Sequence, residues 1–136
     1  MKLIYPAIFY PFEDSDIKGF TVEFPDLPGC VTEGNSLAEA LEMAVDAAGG
    51  WLLTDLEDDK NIPVPSGIHV IKPENEAGFV NLVLIDLSSY SEKYSSKSIR
   101  KNLTIPQWIN TRAEKANVNF SQVLQEALIE KLKIAK

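Results

Sequence analysis

From residue 99 onward the sequence offers apolar positions for one short strand and two helices, and too few residues to bury them alone. About 40 residues with a single strand can neither close a sheet nor build an adequate core. In SIRKNLTIPQW, Ile99, Lys101, Leu103 and Ile105 fall on one side of an extended run, and Arg100, Asn102 and Thr104 fall on the other. Pro106 ends that run and suits the first turn of a helix. Trp108, Ile109, Ala113 and Ala116 give the helix an apolar stripe, and Asn117 supplies a left-handed stop. Asn119 is an N-cap for a second helix, with Val123, Leu124, Ala127, Leu128 and Leu132 on one face. The pattern demands a partner surface, and the economical one is a second copy.

Two such strands paired antiparallel over four helices make a ribbon-helix-helix homodimer. Its dimer core would hold Leu103, Ile105, Trp108, Val123, Leu124 and Leu128. Arg100, Asn102 and Thr104 of both copies would then share the exposed ribbon face, a shape that fits the DNA major groove. Arginine offers a bidentate contact to guanine, asparagine to adenine, and threonine a hydroxyl bond or a methyl contact. The amides at the start of the second helix, around Asn119, Phe120 and Ser121, can clamp a phosphate with help from the helix dipole. A symmetric ribbon predicts an inverted-repeat operator. The plain alternative is an ordinary edge strand, polar side outward, beside an amphipathic helical hairpin.

Charge supports a division into two modules. The 136 residues carry 13 Lys+Arg and 20 Asp+Glu, a formal net charge of −7. Residues 1–91 hold 16 of the acidic residues and four basic ones, net −12, whereas residues 92–136 are net +5. Such a sign change suits modules with different partners, the basic one a candidate for nucleic acid. The boundary falls in SSYSEKYSSKS, residues 88–98, which has no large aliphatic side chain and reads as a linker. The expected organisation is therefore 1–87 as an acidic domain, 88–98 as linker, and 99–136 as the dimerising, DNA-binding domain.

In the acidic domain, residues 2–10 favour a strand, and Pro6 places it at or near a sheet edge because it removes a ladder donor. After turn chemistry at 14–19, Phe20, Val22 and Phe24 alternate with polar residues, completing a hairpin. Ser36 and Glu39 form an S-x-x-E capping box before Leu37, Ala40, Leu41, Ala44, Val45 and Ala48 recur at helical spacing. This predicts a helix from 36 to about 53. Residues 68–71 and 79–87 read as two further strands. The fold class is α+β: one helix packed on a mainly antiparallel sheet, followed by the ribbon-helix-helix segment.

Little here supports catalysis. Glu57, Asp58 and Asp59 could ligate magnesium, but three adjacent loop acids diverge. The single His69 leaves no pair for zinc or a histidine-centred triad, and the single Cys30 has no nearby basic residue to lower its pKa. We expect no enzyme activity, no metal and no cofactor. No apolar run approaches the roughly 20 residues that span a bilayer, and the acidic, proline-containing start lacks a signal-peptide core, so a cytoplasmic location is expected.

The tail motif Asn102-Leu103-Thr104-Ile105-Pro106 with Val118-Asn119-Phe120-Ser121-Gln122-Val123-Leu124 resembles the tail of HicB-type antitoxins. The first module is similar to the same family at Gly19-Phe20-Thr21-Val22, Phe24-Pro25-Asp26-Leu27-Pro28-Gly29-Cys30, Thr32-Glu33-Gly34, Glu39-Ala40-Leu41 and Ile62-Pro63-Val64-Pro65-Ser66. The resemblance implies a partial RNase H-like fold for the first module, without nuclease activity. It also implies neutralisation of HicA, a small mRNA-cleaving toxin, and autorepression through operator DNA, as a homodimer with higher assembly left open. An acidic surface suits a module that must cover a basic RNA-binding partner. No motif assigns the toxin-contacting residues. Two readings compete: a ligand-sensing ribbon-helix-helix repressor without a toxin, and a residual nuclease.

Overall fold

The computed structural model describes residues 1–94 and 98–132. The remaining part of the expected linker, 95–97, and the last four residues of the tail lie outside the described residues. Four strands, β1 (Lys2–Asp14), β2 (Ile17–Glu23), β3 (Val31–Gly34) and β4 (Phe79–Asp86), form one antiparallel sheet in the order β3-β2-β1-β4. Helix α1 (Leu37–Glu57) packs on it, so the α+β expectation holds for this part of the chain. The core joins Leu3, Tyr5, Ala7 and Phe9 of β1 to Val83 and Ile85 of β4 and to Ala40, Ala44, Ala48 and Leu52 of α1. Three alanines along the buried stripe let the helix approach the sheet closely. Each large side chain buried completely, such as Phe9, Leu52 or Ile85, contributes about 1.5–3 kcal/mol.

The first strand lies near the sheet edge, as expected, though not on it: β1 is flanked by β2 and by the edge strand β4. Pro6 is tolerated there because pairing with β2 begins only at Ile8, leaving Pro6 in the half of the strand flanked by β4 alone. The hairpin turn is tighter than the expected 14–19. Only Ser15 and Asp16 separate the strands, with Ser15 at φ 56°. The strand expected at 68–71 is a short 3-10 turn at Ile68–Val70. Its neighbours are tied down on both sides: the Tyr5 hydroxyl donates to the Pro63 carbonyl, and the Glu74 amide donates to the Tyr10 hydroxyl at 2.9 Å. The run between those anchors is used up in turning, between Gly67 and Pro73.

Helix α1 begins as its capping sequence requires, with Ser36 extended and its Oγ accepting from the Glu39 amide at 3.1 Å. It runs four residues beyond the expected end, through Gly49 and Gly50. Those glycines lie beneath a second helix, α2 (Leu87–Tyr94), where a Cβ on Gly49 would stand 2.6 Å from the Tyr90 ring. Helix α2 occupies residues 88–94 of the segment read as linker. Asp86 makes it possible: its carboxylate accepts from the Ser88 amide at 3.2 Å, the Ser89 amide at 3.4 Å and the Ser89 hydroxyl at 3.1 Å. The chain start closes the arrangement, as the Met1 ammonium donates to Ser88 Oγ at 2.8 Å and the Leu87 amide to the Met1 carbonyl at 2.9 Å.

The tail supplies α3 (Gln107–Lys115) and α4 (Phe120–Leu132). Asn117 adopts the expected left-handed conformation, φ 55°, and Asn119 Oδ1 caps α4 by accepting from the Gln122 amide at 3.1 Å. The strand expected over 99–105 is absent from the single chain: residues 98–106 carry no regular structure. A lone strand has no ladder to join, and none of the sheet's strands pairs with it.

Candidate functional site

The tail leaves its apolar residues in water. Leu103 and Trp108 are both 65% exposed, Ile105, Val123 and Leu128 are also exposed, Leu124 is half-buried, and neither α3 nor α4 has a buried residue. Thus none of the six positions expected to form a dimer core is buried within one chain. Arg100, Asn102 and Thr104 are exposed on the irregular segment before Pro106. Asn119, Phe120 and Ser121 stand together at the start of α4, where the Asn119 side chain already satisfies the Gln122 amide. That leaves the first amides of the helix as the donors an anion would meet. On α3, Gln107, Trp108, Thr111 and Arg112 line an open concavity of about 730 Å³.

Cys30 and Asp86 serve structure among the titratable groups of residues 1–91. Burial pushes the Cys30 thiol up to about 11, which keeps it protonated and unreactive at neutral pH. His69 sits exposed on the 3-10 turn. Glu57 ends α1, Asp58 caps it and lies 4.0 Å from Lys60, and Asp59 takes a left-handed conformation that turns the chain away. Among the described residues no three His, Cys, Asp or Glu side chains converge on a possible metal position. Burial raises the Asp86 pKa, and the bonds from Ser89 and Ser88 with the N-terminal ammonium more than offset it, so the net shift is downward.

The Pro25-to-Cys30 loop and the Ile62-to-Ser66 stretch, far apart in sequence, touch. Asp26 accepts from the Ser66 amide at 2.8 Å and the Ser66 hydroxyl at 2.6 Å. Leu27 is fully buried, the loop closes on itself through Phe24 N to Cys30 O at 3.1 Å, and Trp51 Nε1 donates to the Pro28 carbonyl at 3.0 Å. The Thr-Glu-Gly motif has a packing reason too: a Cβ on Gly34 would lie 2.3 Å from the Ala40 amide nitrogen, in the first turns of α1. These motifs build the scaffold. Their signal was available only as paired occurrence of an acid and a serine in two proline-rich stretches.

Residues 5–131 match the sequence profile of the family described as HicB_like antitoxin of bacterial toxin-antitoxin system. The chain belongs to the HicB-like antitoxin family. A related protein, Antitoxin HicB 1 of Photorhabdus laumondii, is 39% identical over 64 residues, which are 47% of this chain and 39% of that protein. The matched stretch is thus less than half the length of that relative. Among solved structures, a chain of the toxin-antitoxin complex from Streptococcus pneumoniae superposes with a TM-score of 0.60 at 31% identity, covering 96% of this chain and 99% of that one. A chain of the HicA3 and HicB3 toxin-antitoxin complex superposes with a TM-score of 0.50 at 26% identity, covering 62% of this chain and 99% of that one. As a HicB-like chain, it has an antitoxin's role in a toxin-antitoxin system. No helix among the described residues is long and apolar enough to cross a membrane.

Proposed function

We propose that this HicB-like chain neutralises a HicA-like, mRNA-cleaving toxin through its acidic module and represses its own operon through its tail. It acts by binding and performs no chemistry of its own. The observation that carries the tail's part is the exposed apolar row of Leu103, Ile105, Trp108, Val123 and Leu128, with Arg100, Asn102 and Thr104 on the alternate positions. A second copy covers the row by pairing the two 99–105 segments, which supplies the ladder a single chain lacks. The paired segments then present three base-reading side chain types per copy to the major groove. Asn119, Phe120 and Ser121 hold a flanking phosphate at the helix start.

For the toxin, the support is charge and kinship: residues 1–91 are net −12, and a chain of a HicA3 and HicB3 complex shares the fold over 62% of this one. An acidic cover steers and holds a basic RNA-binding partner. Coexpression with a HicA-like toxin tests this part. Rescue of growth and co-elution as one complex on a sizing column are expected; toxicity unchanged by coexpression, with the two proteins eluting apart, overturns it.

A further inference from the structure

Base reading by the tail, as proposed above, uses one of its cations, Arg100; helix α3 carries two more, Arg112 and Lys115. They are three residues apart and so are neighbours on the helix surface. The apolar positions Ile109, Ala113 and Ala116 recur on a different side. Gln107, Thr111 and Lys115 follow one another at four-residue spacing with Arg112 beside them, and all four are exposed. Gln107, Thr111 and Arg112 line the open concavity of about 730 Å³ together with Trp108. The one carboxylate of α3, Glu114, accepts from Asn110 Nδ2 at 3.3 Å. Among the described residues neither Arg112 nor Lys115 is in an ion pair. The Thr111 hydroxyl donates to the Gln107 carbonyl at 3.0 Å, so its proton is already used. The donors left on this face are the Gln107 amide, the Arg112 guanidinium and the Lys115 ammonium.

We propose that this face of α3 grips the DNA backbone beside the paired 99–105 segments, through Gln107, Arg112 and Lys115. The contact presupposes the tail reading above and is separate from the phosphate held at the start of α4. Only Ile105 and Pro106 separate Thr104 from Gln107, so α3 starts where the paired segments end. The major groove is about 12 Å wide and walled by phosphates, so a helix leaving a ribbon seated in it comes against that wall. A guanidinium forks onto two phosphate oxygens, and an ammonium three residues on adds a point charge. The net charge of +5 over residues 92–136 suits such a polyanion. These side chains meet phosphate and no base edge, so they add affinity and fix the register of the ribbon without adding sequence preference. Trp108 remains part of the apolar row that the second copy covers.

Anisotropy titrations of the full chain on the DNA upstream of its gene and on scrambled DNA, from about 50 to 200 mM salt, test this. Arg112→Gln/Lys115→Gln should bind both DNAs at least about tenfold more weakly at the low-salt end. Its logarithmic salt slope should be shallower by about 3–4, from two lost phosphates per copy at roughly 0.9 each. The ratio of upstream to scrambled affinity should stay within about twofold of the parent's. Arg112→Lys/Lys115→Arg keeps the charge and should keep the parent slope, as should Lys131→Gln on α4. Both α3 positions are exposed, so thermal unfolding and sizing profiles should match the parent's. An unchanged slope in the glutamine variant, the same drop in Lys131→Gln, or a loss confined to the upstream DNA overturns the proposal. So does a glutamine variant that binds DNA like the parent and no longer co-elutes with a HicA-like toxin, which gives the face to a protein. Failure of the tail reading looks different: the parent chain itself binds upstream and scrambled DNA alike.

Discussion

At the residue scale, the scaffold motifs make measurable claims. Replacing Asp26 by alanine removes the acceptor of two Ser66 bonds, at 2.8 and 2.6 Å. Hydrogen bonds to a carboxylate are among the stronger ones, so we expect a loss of about 2 kcal/mol. In thermal unfolding this is a Tm drop of roughly 5–10 °C. Ser66→Ala should then cost little more in the Asp26→Ala background, because the two residues share one interaction. Cys30 carries a pH prediction. Its folded pKa is raised by burial from 9.0 to about 11, so between those values the native state binds more protons than the unfolded chain. Stability is retained below about pH 9 and falls as pH rises toward 11. Burial, then the Asp26 charge, raises the Tyr5 pKa as well, which adds to the same alkaline loss. Cys30→Ala should flatten part of that decline in urea titrations at pH 8 and 10.5. An identical decline in both proteins would assign it to Tyr5 instead. The sequence disclosed Cys30 as a bland thiol because no cationic neighbour was visible, whereas the Asp26–Ser66 bond spans 40 residues and has no local signature.

At the element scale, what could be read locally was read correctly and what depended on packing was not. The start of α1 follows from Ser36 and Glu39 alone, since a cap involves only its own turn. Ser36→Ala should cost about 1 kcal/mol in chemical denaturation. Pro6 argued for a place at or near a sheet edge, and β1 lies next to the edge strand β4; which side of it stays unpaired at Pro6 is visible only in the register, where pairing with β2 begins at Ile8. Helix α2 was hidden more thoroughly. Its serine-rich sequence has low intrinsic preference for a helix, and it holds through Asp86 capping and the seating of Tyr90 on Gly49 and Gly50. Gly49→Ala tests that contact. Alanine favours an isolated helix by about 1 kcal/mol, yet here its Cβ meets the Tyr90 ring at 2.6 Å. We expect net destabilisation of about 1–2 kcal/mol by overpacking, turning into stabilisation when Tyr90→Ala opens the space. Stabilisation by Gly49→Ala alone would mean that α2 does not dock there.

At the scale of the whole molecule, the contrast in charge between residues 1–91 and 92–136 is written in the sequence, and the tail's partner remains the proposal made above. The two tail helices and the caps at Asn117 and Asn119 were legible because each is set by nearby residues. The extended run 99–105 is where sequence and single chain part, since a strand is defined by what it pairs with. The account therefore turns on whether two tails together read DNA. The direct measurement is fluorescence anisotropy of the full-length protein on the DNA upstream of its own gene, across a salt series, beside Arg100→Ala/Asn102→Ala/Thr104→Ala. The account predicts that the parent chain binds this DNA at least about a thousandfold tighter than scrambled DNA, while the variant keeps only weak, salt-sensitive binding. Equal binding by the two proteins, or no preference for the upstream DNA in the parent chain, would contradict it.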